Sequence, residues 1–387
     1  MERDIYDEDH EAFRDVVKDF VKRHVTNEAI EKWETDGEVD RATMLAAGEA
    51  GIIGLSVPEE FGGAGMLQDY RFRAVVNEEV IAAGAGSLAG ALGIQDDLAV
   101  PYLVHMGTQA QKEKWLPRMA TGEILGALAM TDPGAGSDLR GIKTNAKKVD
   151  GGYILNGAKT FISSGKTADI VVTFVKTGEG NRPDAFSLLI VENGMEGFEH
   201  GKKLSKMGFH GWDTAELSFT DVFVPEENLI SGKEGQGFIQ LMMNLPLERL
   251  SIAVSAAAAT QAALTWTVDY TRDREAFGER VIDFQNTRFK IADMATTVDA
   301  LWAYVDRGLK LYAAKKLTAE EAAQLKFWAT EREWEVLDTG VQLHGGYGYI
   351  TEYPIARAFL DARVHRIYGG TNEIMRELVG RQIAGKR

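Results

Sequence analysis

Two separated tracts carry the residue types that proton abstraction next to a carbonyl needs. Glu248 stands among apolar neighbours in Asn244-Leu245-Pro246-Leu247-Glu248-Arg249-Leu250, and far along the chain Ile367-Tyr368-Gly369-Gly370-Thr371-Asn372-Glu373 offers bare backbone. A carboxylate in apolar surroundings binds protons more tightly than one in water, which suits a general base. Adjacent glycines let backbone N–H groups come close to a carbonyl oxygen. The pair proposes a base and a carbonyl-holding backbone contributed by different parts of the chain. Pro246 suits a first helical turn, and acids are favoured there by the helix dipole alone, so Glu248 at the head of a helix also has a purely structural reading.

Three further tracts admit a ligand. In Met130-Thr131-Asp132-Pro133-Gly134-Ala135-Gly136-Ser137-Asp138 small residues expose backbone N–H groups, and the hydroxyls of Thr131 and Ser137 add donors. The tract lacks the lysine of a phosphate-binding P-loop and the strand-helix setting of a dinucleotide fingerprint, and alone it reads as a tight boundary loop. In Asn156-Gly157-Ala158-Lys159-Thr160-Phe161-Ile162-Ser163-Ser164-Gly165, Phe161 can cover a planar ring while Ser163 meets its polar edge, although a strand phenylalanine is also ordinary core. Val341-Gln342-Leu343-His344-Gly345-Gly346-Tyr347-Gly348-Tyr349 follows a helical stripe; a C-cap explains its first glycine, and the cluster of glycines and tyrosines suggests a ligand or subunit contact. His344 reads equally as a satisfied histidine. The seven histidines lack metal-ligand spacing, so no metal site is expected.

The elements that position these tracts follow from the texture of the chain. Its 387 residues suffice for two or three domains. Ala12, Phe13, Val16, Val17, Phe20 and Val21 recur at helical spacing, and similar stretches predict an α-helical domain over 1–125. Residues 126–232 carry short β-rich runs such as Ile170-Val171-Val172-Thr173-Phe174-Val175 and the alternation Ala215, Leu217, Phe219, predicting a β-domain. Over 233–387 the helical period returns, with Ile291, Met294, Ala295, Val298, Leu301, Trp302, Val305 and Leu309 on one stripe of a helix bundle. Separate α and β domains are expected, not a doubly wound nucleotide fold. A formal net charge of -15 disfavours nucleic acid as a partner, and no apolar run is long enough for membrane insertion. The acidic N-terminus has no signal-peptide pattern, and with no cysteine in the chain a cytoplasmic location is the default expectation.

In their order and spacing, Thr131 to Asp138, Lys206-Met207-Gly208 with Asp213-Thr214-Ala215-Glu216-Leu217, Arg274-Glu275-Ala276-Phe277-Gly278, Gln342 to Gly346 and Tyr368 to Ile374 resemble the acyl-CoA dehydrogenase family over essentially the whole chain. The resemblance implies an all-α N-terminal domain, a β-barrel-like middle domain and a C-terminal four-helix bundle. It implies non-covalent FAD, oxidation of an acyl-CoA to the trans-2-enoyl-CoA, electron transfer to an electron-transferring flavoprotein, and a homotetramer built as a dimer of dimers. Many members carry the base just before Gly-Thr in the last helical region, where this chain has Gly369. Long-chain and isovaleryl members carry it on the first helix of the C-terminal domain in a Glu-Arg-Leu setting, which Glu248-Arg249-Leu250 matches.

By the same resemblance, Met130, Thr131, Phe161 and Ser163 line the flavin, and Ser137 touches both cofactor and CoA chain. Arg274, Phe277, Gln285, Gln342, Gly345 and Gly346 reach the FAD of a neighbouring subunit, while Thr371 and Glu373 meet the FAD of their own side. Gly369 donates its N–H to the thioester oxygen beside a ribityl hydroxyl of FAD, and Arg249, Tyr368 and Gly370 shape the substrate site. Flavin oxidases or monooxygenases of the same fold, and a silent partner subunit of a heterotetramer, are the alternatives; a base at Glu248 argues against both.

Overall fold

The computed structural model describes residues 3–385. Seven helices come first: α1 (Glu8–His24), α2 (Asn27–Asp36), α3 (Arg41–Glu49), α4 (Arg71–Ala82), α5 (Gly86–Gly93), α6 (Val100–Met106) and α7 (Gln109–Ala120), with a π-helical turn at Ile94–Ala99 joining α5 to α6. Local chemistry marks their ends. Asp7 accepts from the Asp9 and His10 N–H groups at the start of α1, and Thr108 and Gln111 form a reciprocal capping box on α7. Val17 and Phe20 of the predicted α1 stripe are buried, whereas Val16 is exposed, so the stripe is narrower than its spacing suggests.

A seven-stranded sheet follows: β1 (Gly126–Ala129), β2 (Asn145–Val149), β3 (Gly152–Ser163), β4 (Ile170–Lys176), β5 (Phe186–Glu192), β6 (Phe198–Lys203) and β7 (Thr214–Pro225), in the order β1-β4-β2-β3-β7-β6 with β5 paired to β4. β1 and β2 pair with β4 in parallel, and the other pairs are antiparallel. Ile170 to Val175 are buried throughout, as an apolar run covered on both faces requires. Ala215, Leu217 and Phe219 point inward on β7 with Glu216 outward, as the alternation predicted. Ser163 at the end of β3 pairs with Thr214.

The C-terminal part comprises α8 (Gly237–Asp273), a small hairpin of β8 (Glu275–Ala276) and β9 (Glu279–Arg280), α9 (Gln285–Ala313), α10 (Ala319–His344), α11 (Pro354–His365) and α12 (Asn372–Ala384). Buried residues lie all round α8, including Ala256 to Ala259, because it is the central rod with α4, α9, α10 and α11 packed against it. Of the predicted α9 stripe, Met294, Val298, Leu301, Trp302, Val305 and Leu309 are buried, whereas Ile291 and Ala295 are half-buried. One expectation is corrected here. α8 begins at Gly237, so Pro246 lies inside it and Glu248 is not in its first turn. Proline at an interior position leaves the Met242 carbonyl without its helical donor, at a cost of about 3 kcal/mol, and burial of Leu241, Leu245, Leu247 and Leu250 offsets that. The helix dipole therefore does not account for Glu248. Among the described residues, no helix is long and apolar enough to cross a membrane.

Candidate active site

Glu248 faces inward from the middle of α8 and is 3% exposed. Its Oε1 accepts a hydrogen bond from the Tyr102 hydroxyl of α6 at 2.9 Å. Burial pushes the carboxyl up to about 7, against the opposing pull of the Tyr102 hydrogen bond and the neighbouring Arg249 charge. One turn further along the same face, Ile252 meets the second tract. A methyl group built on Gly369 would lie 2.5 Å from Ile252 Cδ1, and Gly369 and Gly370 have φ of 63° and 93°, backbone that side chains rarely adopt. Gly369 is thus required twice over, by conformation and by the close approach of α8, while a methyl group on Gly370 would meet Met375 of α12. Arg249 Nε donates to the Gly369 carbonyl at 3.5 Å, and the buried Lys326 of α10 donates to the Gly370 carbonyl at 2.8 Å and to Asn372 Oδ1 at 2.9 Å. Thr371 caps α12 by accepting from the Ile374 N–H, and Tyr368 stacks on His365.

Beside this turn lies a narrow cavity between α4, α5, α8 and α11, whose wall includes Tyr368, Phe209, Gly90, Ser255, Ala259 and Trp266. Ser255 and Ala259 follow Ile252 along the inner face of α8, so the cavity leads away from Glu248 along that helix.

The sheet gathers the other candidates. Lys159, fully buried on β3, forms an ion pair with Asp132 at 2.7 Å and donates to the Met130 carbonyl at 2.8 Å, while the Thr160 N–H donates to the Thr131 carbonyl at 3.0 Å. Asp132 also accepts from the Lys143 and Thr144 N–H groups. These contacts tie the Met130–Asp132 loop to the strand that carries Phe161 and Ser163. Phe161 is 70% exposed at a φ of 59°, so it is not core. A methyl group on Gly134 or Gly136 would meet nothing within 4 Å; that loop borders open space.

Arg274, Phe277, Gln285, Gln342, Gly345 and Gly346 sit elsewhere, at the end of α8, the hairpin, the start of α9 and the end of α10. All six are exposed, Phe277 to 99%. Arg274 lies 26 residues beyond Glu248 on the α8 axis (274 − 248), or about 39 Å at the helical rise. One chain does not bring the two groups together. His344 stacks on Tyr270 at 4.4 Å with Nδ1 on the Gly340 carbonyl at 2.8 Å, a satisfied structural position. Among the described residues, no cluster of three or more acidic or histidine side chains could hold a metal ion.

Sequence reading missed Tyr102, Lys159 and Lys326. Lys326 had a signal, since it falls at helical spacing among Ala322, Ala323 and Ala329, where a lysine breaks an apolar stripe. Nothing local marks Tyr102, whose partner lies 146 residues away.

The chain matches family models for the acyl-CoA dehydrogenase N-terminal, middle and C-terminal domains over residues 7–123, 127–222 and 235–384. It is 44% identical to the mitochondrial long-chain specific acyl-CoA dehydrogenase of Rattus norvegicus, over 98% of this chain and 88% of the relative. It is 38% identical to the mitochondrial isovaleryl-CoA dehydrogenase of Arabidopsis thaliana, over 98% and 92%. The crystal structure of an acyl-CoA dehydrogenase from Geobacillus kaustophilus superimposes with a TM-score of 0.93 at 40% identity, covering 98% of both chains. Helical, β and helical parts, the buried acid facing a two-glycine turn, and these likenesses lead to one conclusion: the chain belongs to the acyl-CoA dehydrogenase family.

Proposed function

We propose that this oxidoreductase dehydrogenates an acyl-CoA thioester to the trans-2-enoyl-CoA with Glu248 as the general base and Gly369 as a backbone donor to the thioester oxygen. The observation that carries the assignment is the placement of Glu248, buried, raised to about 7 and set on the α8 face that meets Gly369. A thioester α-proton is too weakly acidic for an ordinary carboxylate. Two conditions make the abstraction feasible: a base of matched proton affinity, and fixed donors where negative charge develops on the oxygen. Glu248 supplies the first. The N–H of Gly369 supplies the second, and Tyr102 orients the carboxyl. Arg249 shapes the substrate channel with Tyr368, Gly370 and Ser137, and the acyl chain extends along α8 into the cavity past Ser255 and Ala259.

The residues present fit FAD, the cofactor of the family. The open glycine loop at Gly134 and Gly136 and the exposed Phe161 beside Ser163 offer a ring that can stack on the flavin together with hydroxyl and N–H donors. Met130, Thr131, Phe161, Ser163 and Ser137 would hold it with Thr371 and Glu373. Bound there, it supplies the hydride acceptor for the β-carbon. Arg274, about 39 Å along α8 from Glu248, and with it Phe277, Gln285, Gln342, Gly345 and Gly346, would serve the cofactor of a second copy, which supports a homotetramer made of dimers. Domain limits at 1–125, 126–232 and 233–387, a cytoplasmic location and an electron-transferring flavoprotein as acceptor complete the reading.

Anaerobic titration of the purified protein with acyl-CoAs of increasing length tests it through the visible spectrum. The flavin band is expected to bleach with one class of thioester. Bound flavin that no acyl-CoA bleaches would favour an oxygen-using relative, and absence of flavin a partner-dependent subunit.

A further inference from the structure

Two lysines are fully buried among the described residues, Lys159 and Lys326. Lys159 is matched by the carboxylate of Asp132. Lys326 instead meets neutral acceptors, the Gly370 carbonyl and the Asn372 side-chain oxygen. Burying an ammonium on such terms is costly, so the site must hold it for a reason other than pairing. Both acceptors belong to the turn that ends at α12, and Asn372 Nδ2 is itself tied to Thr330 Oγ1 and Glu331 Oε1 at 3.0 Å each. Arg249 approaches the adjacent Gly369 carbonyl from α8. Two helices thus each send a cation to the carbonyl groups of a two-glycine turn. Glycine pairs are otherwise the most mobile of backbones, and an oxyanion site works only if its donors are already in place.

We propose that Lys326 is a positioning residue for the dehydrogenation, its ammonium locking the Gly369-Gly370 turn with the Gly369 N–H presented to the thioester oxygen and adding positive potential behind the charge that develops there. This rests on the roles given above to Glu248 and Gly369. The charged groups around Lys326 are Arg249 on α8, Glu331 and Glu333 on α10, and Glu373 on α12. Burial, joined by Arg249, pulls the ammonium down to about 7 against the three carboxylates. Its charge is therefore present below neutrality and fades as pH rises. Glu248, raised to about 7, gains its basic form over the same interval. Turnover then passes through a maximum near neutral pH, with an acid limb from Glu248 and an alkaline limb from Lys326.

The test compares wild type, Lys326→Met and Lys326→Arg in the flavin-loaded enzyme. It reads kcat and KM across pH, and, by ultraviolet absorbance, the pH at which a bound 3-oxoacyl-CoA loses its acidic α-proton. Lys326→Met is expected to lower kcat about tenfold or more below neutrality, with KM changed less than about threefold. It should also raise the ionisation of the bound 3-oxoacyl-CoA by about one pH unit or more. Lys326→Arg keeps the charge at all pH values, so it should retain most of the activity and lose the alkaline limb. Wild-type kcat and unshifted ionisation in Lys326→Met overturn the proposal, as does an alkaline limb that persists in Lys326→Arg; the arginine profile decides alone if the methionine variant does not fold. Full turnover in Glu248→Gln, with no ionisation of 3-oxoacyl-CoA by wild type, removes the base assignment itself and the proposal with it.

Discussion

The chemistry proposed for Glu248 depends on one physical fact, that the site withholds water from a carboxyl more strongly than the Tyr102 hydrogen bond and the Arg249 charge compensate. Its proton affinity predicts that kcat/KM rises with pH through about 7 as the base ionises. Tyr102 donates to the ionised form and so holds that value down. Tyr102→Phe should move the acid limb to higher pH, and a limb that stays put or moves lower contradicts this role. The same group affects stability. Its folded proton affinity exceeds its unfolded value of 4.5, so its contribution is fully present below 4.5 and is lost as pH rises through about 7. Glu248→Gln removes that loss. The glutamine variant should therefore gain on wild type in thermal midpoint between acid and alkaline pH, by on the order of 3 kcal/mol from the shift, as scanning calorimetry at the two pH values can check. The family resemblance, through Glu248-Arg249-Leu250 with Gly369 at the later position, singled out Glu248 in the sequence, where residue type and neighbours alone left a structural reading open. Its place in the helix was not, because Pro246 reads as a beginning and only the packing around α8 shows that the helix runs through it.

At the scale of elements, periodicity carried the stripes of α9 and the alternation of β7, since each depends on neighbours a few residues away. The ties between elements depend on partners that local pattern does not name. Lys159 is one: within Ala158-Lys159-Thr160 nothing distinguishes a solvated lysine from one clamped to Asp132. Lys159→Met leaves that aspartate buried without its partner, and a broken buried pair costs about 3–5 kcal/mol. We expect a lower thermal midpoint and a Met130–Asp132 loop that no longer retains FAD; unchanged retention would show that the loop does not contribute to the cofactor site. Gly369→Ala tests the turn that faces α8. The residue sits at positive φ, a strain of about 1–2 kcal/mol for a side chain, and the added methyl meets Ile252. Turnover should collapse with FAD still bound, and a fully active variant would remove the turn from the mechanism.

For the whole molecule, the three-part architecture was readable because helical and strand texture change abruptly near residues 126 and 233. The distance between Arg274 and Glu248 was not, because distance along a helix axis becomes meaningful only once α8 is known to run unbroken from Gly237 to Asp273. An assembly that shares its cofactor site predicts coupling between association and flavin content. Phe277→Ala should leave each chain folded yet release FAD on dilution, read by flavin absorbance across a sedimentation profile; flavin that stays with a monomer contradicts a shared site. The most direct test of the central claim is anaerobic mixing of acyl-CoA with wild type and with Glu248→Gln, both flavin-loaded. The account predicts rapid bleaching of the wild-type flavin band, and a variant that binds the same thioester and keeps its band. Bleaching of Glu248→Gln at the wild-type rate would show that another group removes the proton.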